Sequence, residues 1–473
     1  MLTRITIGWL LCLPFYCCAQ NTFQRQYKSA TATYGAPYNV LPTSDGGFIG
    51  AVAGTEPGAY PSATFARFDS LGNMLWMKAD TVDLTAAFVR VLPRSGGFLF
   101  ASDKADFTSD HYYVLRGTDT ACVETWRSTY TKNYLQPLCA AMAADSGFLL
   151  AGELNGPDLH LAKTDADGQL LWSRTYYVPG NGLAFECLSP LPDGGALIGG
   201  SYAISWLVDL FLMRVDPSGN VVWARSYPHT STIRPDHMSS VIPTTDGGYA
   251  MTCHAPVNNN DLIYGELVKL HADGSVNWQY TYAGATDITE FNAVLERPDG
   301  SFAVCGYGTD PNQNQDLSIT HIDSLGTLLW SRNIGMDLVE AGYYIAATED
   351  GGFVMSGAVA TSPLLSNAYY MVRTDSGGSV GCLDTMFTLT VAPFDLGSTP
   401  LAVLDSNATL TAGGQVHQYK YLTPLMETPC DFSTATQDTS PDAAFRIWPN
   451  PCSDELHIIG RSKATYSMEL RAL

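Results

Sequence analysis

A motif recurring about every fifty residues constrains this chain more than any other feature. An acidic or small residue, a Gly-Gly or near equivalent, and an apolar run begin at Asp45, Ser95, Asp145, Asp193, Asp246, Asp299 and Asp350. The copies read Asp45-Gly46-Gly47-Phe48, Ser95-Gly96-Gly97-Phe98, Asp145-Ser146-Gly147-Phe148, Asp193-Gly194-Gly195-Ala196, Asp246-Gly247-Gly248-Tyr249, Asp299-Gly300-Ser301-Phe302 and Asp350-Gly351-Gly352-Phe353. The steps between them are 50, 50, 48, 53, 53 and 51 residues, a period held over three hundred residues and therefore a structural unit.

A second motif runs in phase, Asp-x-x-Gly-x-x-x-Trp. It joins Asp69 and Gly72 to Trp76, Asp165 and Gly168 to Trp172, Asp216 and Gly219 to Trp223, and Asp323 and Gly326 to Trp330. The fifth copy has His271 with Gly274 and Trp278, the second keeps Trp126, and the seventh has Asp375, Gly378 and Cys382 in place of Trp. Asp-Gly and Gly-Gly supply the positive φ angles of tight hairpin turns. With strand-like runs on both sides, each period reads as strand A, turn, strand B, variable loop, strand C, turn and strand D. Four short antiparallel strands repeated at this period predict a β-propeller blade, and seven copies predict an all-β, seven-bladed β-propeller of four-stranded antiparallel blades. The recurrent Trp fills the wedge between twisted sheets.

Closure falls to the amino end. Phe23-Gln-Arg-Gln-Tyr27 repeats the pattern of Trp223-Ala-Arg-Ser-Tyr227, and Phe23 lies one period (53 residues) before Trp76. The N-terminal strand is expected to complete the last blade and remove its open edge. The propeller is expected over residues 20–384.

Residues 1–19 read as a secretory signal peptide: Arg4, an apolar stretch from Ile5 to Cys18, and a small Ala19 before the cut. No later run approaches the ~20 apolar residues of a spanning helix. The formal charge of −21 excludes a general nucleic-acid binder, which needs Lys and Arg to displace counterions from phosphates. Residues 385–430 form a strand-rich extension bracketed by Cys382 and Cys430, which either form a disulfide or stay as two thiols. Cys253 and Cys305 lie one register step apart on adjacent B strands, which favours buried free thiols. Residues 431–444, rich in Ser, Thr, Asp and Pro, read as a flexible linker.

After the linker comes Phe445-Arg-Ile-Trp-Pro449-Asn450-Pro451-Cys-Ser-Asp454-Glu-Leu456-His-Ile458. This resembles the opening of the C-terminal sorting domain carried by substrates of the type IX secretion system in Bacteroidetes, on Pro449, Asn450, Pro451, Asp454 and Leu456. Residues 445–473 amount to about a third of an ordinary sandwich domain of ~100 residues, so the domain is partial. The repeats are also similar to those of exported propellers bearing this domain. The resemblance implies the type IX secretion machinery as a partner and a secreted, extracellular or outer cell-surface location.

Signals for chemistry are sparse. Gly377-Gly378-Ser379-Val380-Gly381 has the spacing of a hydrolase elbow, but it falls on a C–D hairpin where that motif needs a strand-to-helix turn. Asp165-Ala166-Asp167-Gly168 lacks the further ligands of a calcium loop. The nine His show no i, i+4 pair, and no spacing implies a metal, cofactor or catalytic residue. Function is expected on the variable B–C and D–A loops rather than on the uniform turns. Two D–A loops repeat Asp-x-x-Glu, Asp287/Glu290 and Asp337/Glu340, on adjacent blades near the axial opening. They would bind a cation or basic ligand, or cap turns in solvent. The leading expectation is a non-enzymatic binding or adhesion module for glycan or protein ligands. The alternative is a polysaccharide hydrolase or lyase using carboxylates on the variable face.

Overall fold

The computed structural model describes residues 21–432 apart from 29–32, 56–61, 81–88, 106–110, 205–206, 229–236, 258–261, 285–287, 310–313, 336–337, 361–366, 395, 414–418 and 423–424, together with 445–448 and 457–460. The expected signal segment at 1–19, most of the expected linker at 431–444, and Asp287, Asp337, Pro449, Asn450, Pro451, Asp454 and Leu456 lie outside the described residues.

Each period folds as its turn chemistry dictates. In blade 1 the strands Thr33–Pro42, Phe48–Thr55, Ser62–Phe68 and Met74–Asp80 pair antiparallel in chain order. Gly46 has φ 79°, and the Gly47 amide donates to Asp45 Oδ1 at 3.2 Å. A Cβ on Gly47 would stand 2.4 Å from the Phe68 carbonyl oxygen, so the strand crossing excludes any side chain there. The Asp then takes a cation from strand C: Arg67 on Asp45, Lys163 on Asp145, Arg214 on Asp193, Lys269 on Asp246 and Arg373 on Asp350. Burial and these bonds oppose each other. In Asp246 the pKa falls to about 2: burial raises it, but bonds from Lys269, Thr244 and Gly248 outweigh that.

Six further blades follow, making a seven-bladed β-propeller. Seven apolar clusters fill the seven blade-to-blade wedges. Strand B residues alternate between two wedges, Phe148 and Leu150 toward blade 2, Leu149 and Ala151 toward blade 4. That is why these strands read as continuous apolar runs. The recurrent aromatic presses on the neighbouring blade's Asp-x-x-Gly turn. A Cβ on Gly168 would meet Trp126 at 2.4 Å, on Gly274 Trp223 at 2.7 Å, and on Gly378 Trp330 at 2.5 Å. The Tyr four residues after the aromatic donates to the same turn: Tyr176 to Gly219 O at 2.7 Å, Tyr227 to Gly274 O at 2.7 Å, Tyr282 to Gly326 O at 2.7 Å.

The N-terminal strand Thr22–Lys28 occupies the strand D position of blade 7, paired antiparallel with Asn367–Thr374. The four antiparallel strands expected of each blade are present, and every blade carries in addition a fifth strand at its outer edge. The strand-rich stretch expected at 385–430 supplies these strands, which run from Asp384 to Phe432. Asp384–Met386 joins blade 6, Leu389–Pro393 blade 5, Thr399–Pro400 blade 4, Leu404–Asn407 blade 3, Thr411–Gly413 blade 2, Tyr419–Leu422 blade 1, and Leu425–Phe432 blade 7, on the outer side of the N-terminal strand. The segment is a belt that runs once round the ring against the order of the blades. Sheet twist makes this possible. At roughly 20–25° per strand, four steps turn the fifth strand by roughly 90°, from near-axial to near-tangential.

Arginines in strand D bind belt and ring together. Arg174 donates to Ser218 O of the next blade at 2.9 Å and pairs with Asp405 of the belt. Arg332 donates to Gly377 O at 3.0 Å and pairs with belt Asp384 at 2.9 Å. Beyond the belt, Phe445–Trp448 and His457–Gly460 pair as a two-stranded ribbon. No helix among the described residues is long and apolar enough to cross a membrane.

Candidate functional site

The ring has two unlike faces. The A–B and C–D turns cover one, and their polar groups are committed to turn geometry. An open hollow of about 540 Å³ on that face is lined by Asp246, Lys269, His271 and Asp273. Asp246 and Lys269 are the ion pair that holds the blade 5 turn, so the hollow is a by-product of architecture. The hydrolase-like Gly377–Gly381 stretch is a turn of the same kind. Gly378 has φ 74°, the Ser379 amide donates to Asp375 Oδ1 at 2.8 Å, and the Ser379 hydroxyl donates to Asp384 Oδ2 at 2.9 Å. Among the described residues no group of His, Cys, Asp and Glu is arranged to hold a metal ion, the Asp165–Gly168 turn included.

On the opposite face, polar side chains of blades 4, 5 and 6 converge at the variable-loop ends of strands A and B. Glu186, on the inner strand of blade 4 (Gly182–Pro190), sits at a β-bulge between Phe185 and Cys187. Such a bulge re-aims a side chain. Its carboxylate accepts from the Met238 amide of blade 5 at 2.6 Å, from the Ser201 hydroxyl at 2.5 Å, and contacts His237 Nδ1 at 3.0 Å. His237 opens the inner strand of blade 5 and stacks on His254, its register partner on the next strand, with ring centroids 5.5 Å apart. His254 Nδ1 is 3.3 Å from the Ser239 hydroxyl and 4.0 Å from Glu290 Oε1 of blade 6. Glu290 in turn accepts the Tyr307 hydroxyl, and Tyr343 of blade 7 lies within its electrostatic reach.

The arc therefore runs Glu186, His237, His254, Glu290, Tyr307 across three adjacent blades. Its middle is open, with the His237 side chain 52% exposed and the two carboxylates 18% and 14% exposed. Tyr343 adds an exposed aromatic ring beside it. Burial holds the His254 imidazole below its ordinary pKa; Glu290 opposes this and His237 adds to it. Burial also raises the Tyr307 hydroxyl, with the Glu290 charge acting in the same direction. The arc thus presents two imidazoles, that of His254 held toward its neutral form, with two carboxyl groups and two phenols, a set that exchanges hydrogen bonds with hydroxyl groups.

Of the four acids expected here, Glu290 joins the arc. Glu340 does not line an opening: it lies on the inner strand of blade 7 (Val339–Ala347), 0% exposed, with its charge acting on buried Tyr370 in the wedge between blades 6 and 7. The alternation of strand A turns that position into the wedge. Glu186, His237 and His254 were not singled out from the sequence. Their signal is a contact spacing near one repeat, 51 residues between Glu186 and His237. Cys253 and Cys305 are buried thiols outside any disulfide, as alternation suggests, with Cys253 donating to Glu266 Oε2 at 3.2 Å, and Cys382 is disulfide-bonded.

No protein-family model and no curated protein matches this chain. Solved structures similar to it include polysaccharide lyase Uly1, with a TM-score of 0.42 and 9% identity over 75% of this chain and 100% of that one. A eukaryotic initiation factor structure has a TM-score of 0.33 and 11% identity over 80% of this chain and 97% of that one. Prolyl oligopeptidase B from Galerina marginata has a TM-score of 0.38 and 11% identity over 76% of this chain and 51% of that one. Likeness at this level carries no argument about activity. Fold and arc define a β-propeller with one structural face and one polar, partly open face.

Proposed function

We propose that this chain is an exported β-propeller that binds a glycan, as a non-enzymatic module, at the arc of Glu186, His237, His254 and Glu290. The observation that carries the reading is this arc. Carboxylates and imidazoles beside the exposed Tyr343 ring offer paired hydrogen-bond partners for sugar hydroxyls and an apolar platform for a sugar face. The carboxylates select against polyanionic chains and favour neutral or amino sugars. Export is supported by the leader at 1–19, by the sorting-type motif after Phe445, and by the disulfide at Cys382, which suits an oxidising compartment. The type IX secretion machinery is the partner this motif implies, and the outer surface or medium is the destination.

A second reading, turnover of a polysaccharide, draws on His254, held toward its neutral form, and the nearby Glu290 carboxyl group, two proton-accepting groups within reach of each other. One experiment separates them. The purified protein is applied to a glycan array, and every glycan bound is incubated with it and assayed for new reducing ends. The account predicts binding without new ends, and a loss of at least tenfold in affinity for His237→Ala and Glu290→Gln with unchanged melting temperature. New reducing ends that vanish in Glu290→Gln would instead establish turnover. Binding that neither substitution affects would place the ligand elsewhere.

A further inference from the structure

The belt and the Cys382 disulfide belong together, and we infer that they form a covalent hoop closed by Cys382 and Cys430 around all seven blades. The belt leaves the ring at Cys382, visits blades 6, 5, 4, 3, 2 and 1, and finishes on blade 7 beside its starting point. Its two ends meet across a single residue. Gln24 of the N-terminal strand stands opposite Cys430 in register, and its side-chain amide donates to the Cys382 carbonyl at 3.1 Å. Cys382 is disulfide-bonded, whereas Cys122, Cys139, Cys187, Cys253 and Cys305 are buried thiols outside any disulfide. Once the leader is removed, the cysteines left as partners are Cys430 and Cys452, and Cys452 lies beyond the linker.

The dimensions agree. Four strand spacings of ~4.8 Å beyond a channel of a few ångströms place the fifth strand on the order of 25 Å from the axis, a circumference of ~160 Å. The 49 residues from Cys382 to Cys430 reach ~160 Å when extended at ~3.3 Å each. A loop this nearly taut cannot let one blade swing outward without shortening elsewhere. Closing it joins two thiols, with two protons and two electrons passing to a disulfide oxidant of the exported compartment by thiol–disulfide exchange. The thiols meet only once the belt has circled the ring, so the bond locks a ring already assembled. The hoop then retains the N-terminal strand, which is held between blade 7 and the final belt strand.

The test uses the mature full-length protein. Peptide mapping without reduction should recover one cross-linked pair carrying Cys382 and Cys430; recovery of Cys382 with Cys452 would overturn the proposal. Next, a protease site is placed at 414–418, between two belt strands, and cut with the disulfide intact. Denaturant unfolding is compared for the uncut oxidised protein, the cut oxidised protein, and the uncut Cys430→Ser variant. A loop of this size shifts the folding equilibrium on the order of a thousandfold in the chain-entropy account. Opening the hoop by either route should therefore cost a comparable factor, whether or not the arc binds a glycan. If the cut oxidised protein unfolds like the uncut one, the belt is not under closure and the hoop is refuted.

Discussion

The Tyr27 hydroxyl donates to the Gly72 carbonyl at 2.5 Å, so a residue of the N-terminal strand makes the bond that Tyr176 makes to Gly219 and Tyr227 makes to Gly274. Phe23 repeats the aromatic wedge in the same way, against Gly72. The seventh interface is thus built with the same parts as the others, although its strand D comes from the other end of the chain. Tyr27→Phe should cost about 1 kcal/mol, the worth of one buried hydrogen bond, and match Tyr176→Phe. Phe23→Ala should cost about 3–5 kcal/mol. Denaturant unfolding of the three variants checks both figures; a Tyr27→Phe effect near zero beside a full Tyr176→Phe effect would mean the closing interface is looser than the rest.

Substitutions at the paired turn glycines should separate two kinds of cost. Gly194 has φ 88° with only the Pro217 ring within 4 Å, so Gly194→Ala should cost about 1–2 kcal/mol in backbone strain. A Cβ on Gly195 would lie 2.3 Å from the Val215 carbonyl oxygen, and the strand must shift to admit it. Gly195→Ala should therefore be the more damaging change, by about 1–3 kcal/mol. Thermal unfolding of the two variants decides, and equal effects would contradict the crossing geometry.

Acid should loosen the turn face within a defined window. Asp45 is held to about 2, chiefly by the Thr43 hydroxyl, with Arg67 and the Gly47 amide outweighing the effect of burial; Asp246 is also held to about 2. A depressed carboxylate adds stability above its unfolded value, near 3.9, and loses it as pH falls through the folded value. Unfolding free energy should thus decline between about pH 4 and 2. Replacing Asp246 by Asn should reduce the slope there while leaving it unchanged from pH 5 to 7. These side chains are largely exposed, so solvent screening keeps each contribution small.

His160 should stay neutral under all ordinary conditions. It is buried between the Tyr113 hydroxyl at 3.2 Å and the Ser173 hydroxyl at 2.8 Å, and burial, with Lys132 adding, pushes its pKa down to about 3. The unfolded chain binds this proton first as pH falls, so its contribution is complete above about 6.5 and erodes below. An NMR titration should show one imidazole that does not move between pH 8 and 5; movement of all resonances near pH 6.5 would contradict the burial.

Much of this architecture is legible in the sequence because propeller turns demand particular residues. Positive φ at Gly46 and the lack of room at Gly47 write glycine into most copies, Ser146 and Ser301 being the exceptions, and Phe23 and Tyr27 keep the strand D pattern out of place. The belt is not legible because it has no such demand. Its strands are as short as Thr399–Pro400, lie on the outer edge, and carry no period, so no pattern says which sheet they join. The arc escapes for another reason. Glu186, His237 and Glu290 come from three separate copies, and only the ring brings them together. In a repeat protein, chemistry-bearing residues about one period apart are the pairs to examine.

Unfolding of a chain that begins at residue 29, beside one that begins at residue 21, tests the closed ring most directly. The account predicts that this truncated chain, lacking the fourth strand of blade 7 and the inner support of the last belt strand, gives no cooperative native transition when heated beside the intact protein. A truncated chain that melts cooperatively at the same temperature as the intact one would contradict it.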